Sequence, residues 1–131
     1  MSTNAATAAV PDDTVVGVNL VVLRGHASAP PEEKLLPSGG RLATLSVRVP
    51  GPGAHATSVP VAVWEPAAWL SEIDVDDPLV VVGRLQRRFF QAGGATASRV
   101  EVVAALVGRG GDRRRLAAAE RRSFDALTGL G

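Results

Sequence analysis

Residues 79–90 limit the possible folds of this chain more than any other stretch. They begin as an apolar run, Leu79-Val80-Val81-Val82, and end as a basic and aromatic one, Arg84-Leu85-Gln86-Arg87-Arg88-Phe89-Phe90. In a strand, successive side chains point to opposite faces. Leu79, Val81 and Leu85 then share one face, and Arg84, Gln86, Arg88 and Phe90 share the other. Two readings follow. One is a platform for an unpaired nucleic-acid strand, with guanidiniums meeting phosphates and a ring stacking on a base. The other is an ordinary exposed strand whose charges are solvated and whose Phe90 closes a sheet edge.

The rest of the chain is read around this strand. Residues 1–13 show no periodicity and are expected to form a disordered arm. Residues 14–25 are β-branched and apolar on both faces, a first strand covered on both sides. Residues 27–37 hold three prolines and an acidic pair, so a loop is expected. Residues 41–49 alternate cleanly, with Ala43, Leu45, Val47 and Val49 inward and Thr44, Ser46 and Arg48 outward. Residues 57–64 are the third strand, with Val59, Val61 and Val63 on one face and Pro60, Ala62 and Trp64 on the other. Pro66 opens a short helix over 66–73. An acidic loop follows, then the strand over 79–90, a small-residue loop over 91–97 and a fifth strand over 99–107. Asp112 caps a helix expected to run to 127 behind a Gly-rich linker. The predicted organisation is an arm over 1–13, a domain over 14–107, and a basic linker and amphipathic helix over 108–131. Five strands with a helix between the third and fourth is the element order of an OB-fold, an all-β, partly open Greek-key barrel.

Composition narrows the function classes. Cysteine is absent, which excludes disulfides, thiolate metal sites and a cysteine nucleophile. The two histidines, His26 and His55, carry no ligand spacing. No nucleophile constellation appears, so the expectation is a protein that is not an enzyme and uses no cofactor and no metal. No apolar run approaches the length of a membrane span, and no basic region with an apolar core opens the chain. A cytoplasmic protein without a membrane partner is expected. Residues 1–107 hold eight basic against ten acidic residues, a net of −2, while residues 108–131 hold six arginines against three acids. Because phosphate neutralisation dominates nucleic-acid affinity, binding by the main body must rest on local placement of charge.

Three blocks resemble the bacterial single-stranded DNA-binding (SSB) family. The first is Asn19-Leu20-Val21-Val22-Leu23-Arg24-Gly25, then Pro31-Glu32, Leu36-Pro37-Ser38-Gly39-Gly40 and Ala43-Thr44-Leu45-Ser46-Val47. The second is Val61-Ala62-Val63-Trp64. The third is Leu79-Val80-Val81-Val82-Gly83-Arg84-Leu85-Gln86, with Arg88, Phe90 and then Glu101-Val102-Val103. The resemblance spans residues 17–107. It implies an OB-fold that binds single-stranded DNA without sequence preference in replication, repair or recombination. It also implies a homo-oligomer, a tetramer or dimer, in the cytoplasm and associated with the nucleoid. By this resemblance Trp64 and Phe90 fall on base-stacking positions, and Lys34 and Arg88 on basic contacts. Arg84, Arg48 and Arg87 complete the candidate set.

Departures from the family are equally specific. Two other stacking positions are Gly53 and Ser58, and a basic position is Leu20. The basic end of the family's helix is replaced by Asp74, Asp76 and Asp77. The chain ends in a basic segment rather than an acidic tail, so the tail-mediated recruitment of partners is not expected. The pattern is that of a divergent short paralogue. The alternative is a protein-interaction OB-fold, like primosomal relatives, with weak or lost nucleic-acid binding. Trp69 reads as core, Phe89 as core or subunit contact, and the C-terminal helix as equally suited to nucleic acid, to the barrel or to a partner.

Overall fold

Gly93 and Gly94, at φ of 58° and 82°, fold the longest hairpin in the chain. A two-residue turn with positive φ at both positions matches the right-handed twist of paired strands, and glycine adopts it without steric cost. The strands on either side therefore pair to the very tip. A computed structural model describes residues 17–110 together with 114, 117, 118, 121 and 125. Its strands are β1 (Val21–Ala27), β2 (Glu32–Leu35), β3 (Arg41–Pro50), β4 (Ala56–Trp64), β5 (Pro78–Ala92) and β6 (Ala95–Arg109). One 3-10 helix, Ala68–Glu72, lies between β4 and β5.

The sheet order is β1-β5-β6-β4-β3-β2, and β1 also pairs with β3. That extra pairing closes β1, β5, β6, β4 and β3 into a five-stranded barrel, with β4 and β6 parallel and the other pairs antiparallel. The helix sits between the third and fourth barrel strands, as the OB-fold order requires.

The alternation expected along β3 and β4 sets the interior. Leu45 faces Val61 and Val47 faces Val59 as direct cross-strand partners. Leu45, Val47 and Val61 join Leu79, Val81 and Val102 in one buried cluster, and the partly buried Val59 packs against it. Each fully buried aliphatic side chain contributes about 1.5–3 kcal/mol relative to exposure. Leu70 and Ile73 come from the helical connector and add to the same cluster.

Several boundaries differ from expectation. β1 begins at Val21, and residues 17–20 are not strand, although Asn19 continues the ladder with its side chain. Its amide nitrogen donates to the Leu85 carbonyl at 2.9 Å, and the Leu85 N–H donates to its Oδ1 at 2.8 Å. Among the described residues the cover expected on both faces of this segment is not complete, because Val18 and Val22 are exposed. The loop expected over 27–37 contains β2, which lines the edge of β3 through Glu32↔Thr44 and Lys34↔Leu42. Its residues are weak strand formers, so the open edge of β3 decides the conformation and intrinsic preference does not. The helix over 66–73 shortens to a 3-10 turn, closed by Ile73 N–H donating to the Leu70 carbonyl at 3.2 Å. The loop over 91–97 shrinks to Gly93-Gly94, and β6 runs from Ala95 to Arg109. The expected arm over 1–13 and the start of the first strand at 14–16 lie outside the described residues. So does much of the helix over 112–127, of which Arg114, Ala117, Ala118, Arg121 and Asp125 are helical.

A register shift at Val82/Gly83 places Ala105 as an extra residue on β6. Bulges of this kind sharpen local twist and re-aim side chains. Gly83 is required there, since a Cβ would stand 2.1 Å from the Val103 carbonyl oxygen. Gly83→Ala is expected to cost about 1–3 kcal/mol by forcing the two backbones apart. Urea unfolding should show a lower midpoint at unchanged slope. An unchanged midpoint would contradict the close approach.

Candidate nucleic-acid interface

Directly paired residues of neighbouring strands share a face, so the outer wall can be read as rows crossing the sheet. One row runs Glu32, Thr44, Ala62, Val103 and Arg84, across β2, β3, β4, β6 and β5. Beside it on β2, β3 and β4 lies the row Lys34, Leu42 and Trp64. On the other side come Ser46 with Pro60 and Glu101 with Gln86, then Arg48 with Ser58 and Arg99 with Arg88, and finally Ala97 with Phe90. Rows lie roughly 6.7 Å apart along a strand, so Arg84 and Phe90 are separated by about 20 Å.

The sequence-predicted residues fall into three groups on this map. Arg84, Arg88, Phe90, Trp64 and Lys34 share the outer face. Trp64 is 51% and Phe90 39% exposed, so both rings reach solvent. Arg84 and Lys34 are exposed, and among the described residues neither has an ion-pair partner. Arg48 is on the same face, but its Nη2 is held 2.8 Å from Asp76 Oδ1. Arg87 points to the reverse side of the β5–β6 hairpin, where its Nη1 donates to Ser98 Oγ at 3.1 Å. Phe89 shares that reverse side and is 67% exposed, and Leu85, further along the same side, is half-exposed. Leu85 continues the face of the buried Leu79 and Val81 but is half-exposed, because the ribbon leaves the barrel there and no opposite wall among the described residues covers it.

Two residues of this face were missed by the sequence reading, Arg99 and Glu101. Arg99 is the direct partner of Arg88, and Glu101 is buried among the charges around it. Alternation outward from the core residue Val102 carried the signal. Counting back from Val102 puts both on the outer side, and antiparallel pairing puts them beside Arg88.

Shallow clefts lie on the wall and at its margins. One of about 300 Å³ is lined by Glu32, Thr44, Ser46, Pro60 and Arg99. A second, of about 390 Å³, is lined by Asn19, Leu20, Arg84 and Ala105. A third, of about 290 Å³, runs from Trp64 to Trp69 past Ala105. Trp69 packs against the core cluster, and the Arg109 guanidinium lies 5.1 Å from its ring centre. Ser58, one of the positions where the family resemblance puts a ring, is exposed on this face. Among the described residues no group of three or more acidic or histidine side chains is placed to hold a metal ion. No described helix is long and apolar enough to cross a membrane. The arrangement offers guanidiniums, one ammonium and two separated rings, a set suited to phosphates and bases.

No protein-family model and no curated protein matches this chain. Solved structures do. The wild-type single-stranded DNA-binding protein from Thermus aquaticus is 27% identical and superposes with a TM-score of 0.58. A deletion mutant of the same protein superposes at 0.59 with the same identity. Each alignment covers 70% of this chain but 40% of the other, so the chain spans well under half the length of these neighbours.

The two tryptophans should separate in solution. Acrylamide quenching is expected to act mainly on Trp64, because Trp69 is packed beneath Arg109. Trp64→Phe should leave a weakly quenched protein. Strong quenching that survives in that variant would contradict the placement.

Proposed function

We propose that this chain, an SSB-like OB-fold protein, binds single-stranded DNA along the outer face of its β5-β6-β4-β3-β2 wall, without sequence preference. The observation that carries the reading is the placement of Arg84, Arg88 and Phe90 in alternate positions of one strand, with Trp64 on the same side of β4. All four reach solvent or its margin. Phosphates of an extended strand meet Arg84, Arg88 and Lys34, while bases stack on Phe90 and Trp64. Stacking tolerates any base because each presents a π-face. The likeness to the Thermus aquaticus single-stranded DNA-binding protein supports the same reading.

In this account the protein works by binding and not by catalysis. It acts in replication, repair or recombination on the nucleoid, as an oligomer whose subunits combine their individually short tracks. Arg48 contributes less than its position suggests, since Asp76 holds it. Arg87 stands outside the track, on the reverse of the hairpin. A protein-interaction role for the same face is the competing reading, and the −2 charge of residues 1–107 favours it.

Adjacent phenylalanines provide the test. Phe90→Ala should weaken binding to a fluorescent oligo-dT by about 1–3 kcal/mol, the worth of one stacked base. Phe89→Ala should leave it nearly unchanged. Equal losses from both, or no binding by the parent protein, would contradict the proposal.

A further inference from the structure

Glu101 is the one buried charged side chain among the described residues, only 3% exposed, yet it points out of the barrel. Its β6 neighbour Val102 faces the core, which puts Glu101 on the outer wall opposite Gln86. The Arg88 Nη1 lies 3.6 Å and the Arg99 Nη2 3.9 Å from the same carboxylate oxygen, Oε1. Both contacts are longer than hydrogen bonds. Two guanidiniums thus lean over one carboxylate without being locked to it.

Arg88 and Arg99 are also direct cross-strand partners. Like charges in that relation repel, and a nearby anion relieves the repulsion. In the free chain Glu101 is that anion. A nucleotide phosphate carries the same single negative charge and approaches the same guanidiniums from the solvent side.

We propose that Glu101 is an internal counter-ion that an incoming phosphate of single-stranded DNA displaces from Arg88 and Arg99, and that it thereby holds affinity at this pair below what two free arginines would give. The inference rests on the reading of the outer wall as a single-strand track. Glu101 acts as a positioning residue, because it acts through the two arginines and touches no nucleic acid itself. It keeps the arginine pair assembled in the unbound chain and speeds release of the bound strand.

Glu101→Gln keeps the shape and removes the charge. Oligo-dT binding by the full chain is expected to tighten about 3- to 10-fold, the effect of releasing two partly exposed ion pairs. The melting temperature should fall at the same time, since Arg88 and Arg99 lose their shield. In an Arg88→Ala/Arg99→Ala background the same substitution should leave affinity unchanged, an outcome that a purely structural role would not produce. Glu101→Met, of similar volume and with no polar atoms to satisfy, should reproduce the gain if the glutamine variant does not fold. Equal or weaker binding by the charge-removed variants, a gain that persists without the arginines, or unfolding of both variants would overturn the proposal while leaving the track itself standing. Absence of binding by parent and variants alike would remove the track and the counter-ion together.

Discussion

Closure of the barrel is the constraint on which the other features depend. Two cross-strand pairs, His26↔Arg48 and Ala27↔Val47, join β1 to β3 and complete the ring. Gly25 makes the junction possible, since a Cβ there would stand 2.2 Å from the Arg48 carbonyl oxygen. Once the ring is closed, every barrel strand has one side committed to the interior and one to the outside. A period of two then decides the surface as strictly as it decides the core. Leu45, Val61, Val81 and Val102 fill the inside. Thr44, Ala62, Arg84 and Val103, one position away, line up across the outside.

Electrostatics on that outside is local. Residues 1–107, which sum to −2, supply no net attraction for a polyanion. What they have is cations concentrated on one wall, partly tempered by acids of the same chain. Asp76 engages Arg48, and Glu101 lies under Arg88 and Arg99. Arg84 and Lys34 are the cations of the candidate track without such a partner among the described residues. The face is graded along its strands, with its free charge in the rows of Lys34 and Arg84 and its tempered charge in the row of Arg48, Arg99 and Arg88, nearer the hairpin tip.

The half-buried strands were legible because their two sides differ. Leu45-Ser46-Val47-Arg48 states its own orientation, and Arg84, Arg88 and Phe90 fall together by the same count. Other features depend on partners far away in sequence. β2 was read as loop, since Glu32-Glu33-Lys34 has no strand preference and forms only against the edge of β3. The capture of Arg48 by Asp76 joins residues on separate elements that nothing in their spacing connects. Periodicity put Leu85 on the side of Leu79 and Val81 but did not say where the barrel wall ends. Small residues around Gly93-Gly94 hid a two-residue turn inside what looked like a loop. Arg99 and Glu101 were within reach of the alternation, had it been counted outward from Val102.

Salt dependence tests the central claim most directly. Binding of the full chain to a fluorescent oligo-dT, titrated from low to moderate salt with a duplex of equal length as control, counts the phosphates that cations on the wall neutralise. With three or four contacts per subunit, log affinity should fall with log salt at a slope of about −2 to −3 for the single strand. Duplex should bind much more weakly, because its bases are not free to stack. A slope near zero, or equal binding of single strand and duplex, would contradict a cationic, ring-bearing track on the barrel's outer wall.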